Sequence, residues 1–185
     1  MKTSFFALVA SLVSVQQALA LPTESTAATI KGRSVLPPGS KEGYYTGSLN
    51  ARGTTTWHYH GPRNTTATPA RSVSSVSDGS AIDKRANFAT CENRLVNVND
   101  RDSAIAMLAN NCGNGLEFDA KSIAFVVGSV VAYGCNYGNG QICHRDDIET
   151  FMLSVKAQCG NRAGWWTEED WKASYGYTAG GTGFC

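Results

Sequence analysis

Cysteine is missing from the first 90 residues of this 185-residue chain, and all six cysteines follow: Cys91, Cys112, Cys135, Cys143, Cys159 and Cys185. Histidine is scarce as well. Of three, His58 and His60 lie in the cysteine-free part, leaving His144 alone beside the cysteines. That excludes from the cysteine-bearing part a mechanism built on two histidines, and a histidine-rich metal site. No Gly-x-Ser-x-Gly elbow is present, so His144 has no ready nucleophile to serve. A long apolar run is missing too: Phe5–Val15 falls short of the ~20 residues that cross a bilayer. Residues 86–185 carry seven Lys/Arg against eleven Asp/Glu, a balance of −4 with no basic stripe, which disfavours a nucleic-acid partner.

What is present divides the chain at Lys84-Arg85. Lys2, the apolar stretch after it and Ala18-Leu19-Ala20 predict a signal peptide over 1–20, cleaved after Ala20, and hence an exported protein. Residues 21–85 show no apolar periodicity, contain Pro37-Pro38 and a Ser/Thr-rich stretch, and balance at +4 from eight Lys/Arg and four Asp/Glu. They are expected to be a disordered propeptide. Asp83-Lys84-Arg85 resembles the site cut by kexin-type secretory proteases, and Leu49-Asn50-Ala51-Arg52 resembles a Leu-x-x-Arg processing motif, so an earlier cut after Arg52 is a further option. Asn64-Thr65-Thr66 is a glycosylation sequon. Residues 86–185 are expected to be the mature domain. In an oxidising compartment its six cysteines read as three disulfides without a free thiol. Pairing stays open among 15 arrangements. Cys112 and Cys159 close neighbouring helices, a terminal cysteine is expected to join a helix, and the flexible loop 136–142 favours Cys135 with Cys143.

Two helices are predicted. One is capped by Asp100 or Asp102 and carries Ile105, Leu108, Ala109 and Cys112 on one face; the other opens at Asp146 or Asp147 and carries Ile148, Phe151, Met152, Val155 and Cys159. Each ends in Cys-Gly-Asn, the glycine suited to a positive-φ stop, and each starts near Arg-Asp, a faint internal repeat. Ser122–Tyr137 reads as one long strand with bulk on its odd positions and a bend or break near Gly128-Ser129. The tail supplies strand material at 164–166 and 171–178 around a one-turn helix at 167–170. The fold class expected is α+β: a small disulfide-stapled two-layer sandwich, an antiparallel sheet with two helices on one face.

Candidate chemistry is thin. Asp146, Asp147 and Glu149 suit the first turn of a helix, and Asp146 with Glu168 is the carboxylate pair worth testing for glycoside cleavage. No catalytic residue, metal or cofactor is expected, and the protein is read as a non-enzyme. Trp165, Trp166 and Trp171 are candidate contacts for a partner protein or a sugar ring, set against a role in filling a thin core.

The layout of signal peptide, processed leader and six-cysteine domain resembles the small secreted effectors of plant-associated filamentous fungi. Val131-Ala132-Tyr133-Gly134-Cys135-Asn136-Tyr137-Gly138, the acidic helix from Asp146 and the closing Gly183-Phe184-Cys185 resemble two groups over roughly residues 122–185: the necrosis-inducing extracellular effector domain and the killer-toxin-like family of α/β sandwiches. The resemblance implies a monomeric secreted effector or toxin acting in the host apoplast on a host protein or a cell-surface or cell-wall component, promoting virulence or inducing cell death. The alternatives are a cell-wall carbohydrate-binding or carbohydrate-cleaving protein, and an antifungal killer-like protein.

Overall fold

The computed structural model describes residues 33–62 and 88–185, so Ala20, Asn64, Lys84 and Arg85 lie outside the described residues. Ser122–Asn136 is the centre of the fold: the strand breaks at Gly128-Ser129, as expected, but the chain reverses there into a hairpin instead of running on. Strand β6 (Ser122–Val127) turns at Gly128-Ser129 into β7 (Val130–Asn136). Gly128 takes φ +52, the first place of a two-residue hairpin loop where glycine is needed. The reversal changes which positions share a face. Ile123 and Phe125 lie with Val130 and Ala132 in the core beneath the helices, whereas Ala124 and Val126 lie with Val131, Tyr133 and Cys135 on the opposite face. Directly paired residues are matched large to small: Phe125 with Ala132, Ile123 with Gly134, Ala124 with Tyr133. A sheet buried on both faces needs such matching, since bulk on both partners would overfill the layer.

Around this hairpin the sheet is antiparallel throughout, in the order β3-β2-β6-β7-β10-β9-β4. The added strands are β2 (Gly43–Leu49), β3 (Thr55–Gly61), β4 (Phe88–Leu95), β9 (Arg162–Glu168) and β10 (Ala173–Ala179). Helices α1 (Val98–Cys112) and α2 (Arg145–Cys159) lie side by side on one face, α1 over β6 and β7, α2 over β4, β9 and β10. The small disulfide-stapled α+β sandwich is therefore present. On the other face, β1 (Ser34–Val35) pairs with β11 (Gly183–Phe184) and forms a lid over Val126, Val131 and Tyr133. A two-stranded ribbon, β5 (Leu116–Phe118) with β8 (Gln141–Cys143), completes the described structure.

Several expectations are corrected. Residues 33–62 are not disordered, because β2 and β3 extend the sheet and Leu36, Tyr44 and Tyr45 are buried in it. Leu49-Asn50-Ala51-Arg52 belongs to their turn, where the Asn50 Oδ1 accepts hydrogen bonds from the Arg52 and Thr54 amides. The cap of α1 is Asn97, which accepts from the Asn99 and Asp100 amides. Asp100 instead caps the hairpin turn, accepting from the Ser129 amide at 2.9 Å and hydroxyl at 2.8 Å. Helix α2 begins after His144, and residues 167–170 finish a strand and start a turn rather than a helix. Arg101 is buried one turn inside α1, donating to the Gly160 carbonyl at the end of α2, while Arg145 begins α2, so the two Arg-Asp pairs do different work.

The three disulfides join Cys91 to Cys159, Cys112 to Cys143 and Cys135 to Cys185, leaving no free cysteine. The first ties the strand opening the cysteine-rich part to the end of α2. The expected Cys135–Cys143 bridge does not form, because the two sulfurs lie on opposite sides of the sheet. Cys143 shares the helix-side core with Cys112, and Cys135 shares the far side with Cys185.

Candidate functional site

A broad cleft of about 670 Å³ opens where the β5–β8 ribbon, the first turn of α2 and the β9–β10 turn meet. Gly115, at φ +142, and Gly140, at φ +135, let the chain enter each ribbon strand sharply. The Cys112–Cys143 bridge fastens the end of β8 to the end of α1. Gln141 donates its side-chain N–H to the Trp171 carbonyl, joining the ribbon to the β9–β10 turn. The Lys172 φ of +51 shapes that turn, and the Lys172 carbonyl accepts from the Tyr137 amide at 2.8 Å.

Glu117, Asp119 and Asp147 bring three carboxylates to the cleft, joined by Asn139, Gln141, Ile142 and His144. Trp171 lies at the rim with its ring edge-on to Phe151, 5.8 Å between centroids, and stays 44% exposed. His144 precedes α2 in extended conformation and its side chain makes no cap hydrogen bond. Its Nδ1 lies 2.9 Å from the Asn114 carbonyl. A carbonyl only accepts, so Nδ1 carries a proton and donates it to that bond. Behind the cleft, Tyr175 is buried and stacks on Phe151. Burial above all, and then the Asp147 and Glu168 carboxylates, push its phenol far above the ordinary range, so Tyr175 stays neutral.

The structure distributes the three candidate tryptophans differently. Trp171 is the one that lines the cleft. Trp166 stacks on Phe151 at 5.9 Å and donates its indole N–H to Glu168. Trp165 faces the other side of the sheet, beside Tyr133 and Phe184, where it borders a smaller cavity of about 450 Å³. The pair Asp146 and Glu168 is not brought together as a catalytic pair would be. Asp146 borders a separate depression with Gly113, Asn114 and Arg145, and Glu168 is buried. Among the described residues no cluster of three His, Cys, Asp or Glu is arranged to hold a metal ion, and no helix is long and apolar enough to cross a membrane.

Glu117, Asp119 and Gln141 were not legible as site residues. Glu117 and Gln141 sit on three-residue strands with glycines close by, Asp119 follows the first of those strands, and only the pairing across the ribbon makes them neighbours. No family model, curated protein or solved structure matches the chain.

Proposed function

We propose that the chain is a secreted effector- or toxin-like protein that acts on a host in the extracellular space by binding, with the cleft beneath Trp171 as its contact surface. The observation that carries this reading is the composition of the cleft: an exposed indole beside three carboxylates, on a rim fastened by a disulfide. Disulfides persist in oxidising compartments, which agrees with export. A surface rich in acceptors around one aromatic ring suits a partner rich in hydroxyls or basic groups, such as a wall glycan or a basic loop of a host surface protein. Infiltrating the purified protein into leaves tests this. A tissue response that is lost in Trp171→Ala supports the reading; an unchanged response in that variant speaks against the cleft.

The same indole favours a second reading, a carbohydrate-binding protein of the cell wall. Retention on chitin, glucan or cellulose that Trp171→Ala abolishes, with leaves silent, distinguishes it. Growth inhibition of competing fungi, with neither of those effects, points to the antifungal class.

A further inference from the structure

We infer that residues 33–62 stay with the processed protein as a second, non-covalently held chain, so that a cut after Lys84-Arg85 yields a two-chain molecule instead of a free 86–185 domain. This inference is independent of the cleft. Lys84-Arg85 is the only place in the sequence where two Lys or Arg residues are adjacent. It lies between β3 and β4, which form the two opposite edges of the seven-stranded sheet. Six strand spacings of ~4.8 Å put those edges ~29 Å apart, and the intervening 26 residues from Pro62 to Asn87 reach much further when extended. No described rung of the sheet uses a residue between Pro62 and Asn87, so the cut removes none of them, and the rungs of β2 with β6 join the two pieces.

The N-terminal piece is bound as part of the core. Strand β2 pairs with β6 from Gly43 opposite Val126 to Gly47 opposite Ser122. The Ser34 hydroxyl meets that of Ser122 at 3.1 Å, and the Trp57 indole donates to the Val35 carbonyl at 2.7 Å while its ring packs on Phe184. The Gly128 amide donates to the Glu42 carboxylate at 2.9 Å. Leu36 is only 1% exposed. Without this segment, β6 becomes an open edge and Val126, Val131 and Phe184 lose the cover that Leu36, Tyr45 and Trp57 give, a surface prone to association. Because no cysteine precedes Cys91, nothing covalent would hold the pieces after the cut. Before the cut, the tether keeps the segment at high effective concentration; afterwards only the contacts retain it.

The test is to secrete the chain from a host without a kexin-type protease, cut it in vitro after Lys84-Arg85, and compare denaturing electrophoresis with size-exclusion chromatography. Two bands without reductant, co-eluting as one species of the uncut size, are expected. In Gly47→Val the new side chain would press on Ser122, Trp57 and Thr55, which a Cβ alone approaches to 2.6–2.9 Å. That variant should elute like wild type while uncut and release its short chain at least tenfold more readily once cut. Three results would each overturn the inference: resistance to the protease, a lone 86–185 species that keeps the near-ultraviolet dichroism of the uncut protein, or a Gly47→Val chain that stays bound as tightly as wild type.

Discussion

Gly128 holds φ +52 in a two-residue turn, and a methyl group on its α-carbon would stand against the Asp100 carboxylate that holds Ser129. Gly128→Ala is therefore expected to cost about 1–2 kcal/mol, from the positive φ together with the displaced carboxylate. A shift of the urea midpoint at unchanged slope measures it; an unchanged midpoint would contradict the turn geometry. Asp102 offers a second test at this scale. Burial would raise its carboxyl, but the hydrogen bond from Arg101 and the charge of Lys156 outweigh that and hold it below the usual carboxylate range. A group depressed in the folded state contributes stability above its unfolded value near ~3.9, and that contribution is lost as pH falls through the lower folded value. Stability between pH 5 and pH 2 should thus fall less steeply in Asp102→Asn than in wild type. Parallel curves would contradict the pairing. The roles of the two carboxylates were not legible beforehand: Asp100 and Asp102 look alike as helix caps, and only the fold puts one against a hairpin turn and the other against Lys156.

Helices and strands differ in how far local pattern reaches. The apolar faces of both helices and their glycine stops follow from i, i+3, i+4 spacing, and α1 and α2 bury Ile105, Leu108, Ile148, Met152 and Val155 as that spacing requires. Alternation of large and small on both sides of Gly128-Ser129 marks a bend or break there without telling that the chain reverses, and the reversal exchanges the faces. The same exchange hid the disulfide pairing, since loop length favours Cys135 with Cys143 while the face each occupies forbids it. The Cys112–Cys143 bridge closes a separation of 31 residues, so replacing both by Ala is expected to cost about 3–4 kcal/mol, and the Cys91–Cys159 bridge, at 68, somewhat more. Thermal unfolding of the two double variants measures this. Loss of the first bridge should also weaken whatever partner binding Trp171→Ala weakens, because that bridge fastens the cleft rim. Binding that is indifferent to the bridge would detach the cleft from its frame.

For the whole molecule, the segment before the dibasic pair is where composition misled. Gly43–Gly61 is polar and glycine-rich, yet Tyr44 and Tyr45 stand on one side of a turn at Asn50–Gly53 and Trp57 and Tyr59 alternate on the other, and their partners, Val126 and Phe184, lie far along the chain. Burial of Tyr44, Tyr45 and Leu36 and partial burial of Trp57 repay an ordering cost that the segment's average composition does not suggest. The opposite charge balances of 21–85 and 86–185 fit this arrangement, although few ion pairs are needed where strand pairing and rings hold the edge. The sheet, and with it the cover over the β6–β7 hairpin, therefore begins upstream of the dibasic pair. Hydrogen–deuterium exchange on the uncut chain tests this most directly. Amides of Gly43–Leu49 are expected to be protected nearly as strongly as those of Val130–Asn136; exchange of that segment at the rate of an unstructured peptide would contradict it.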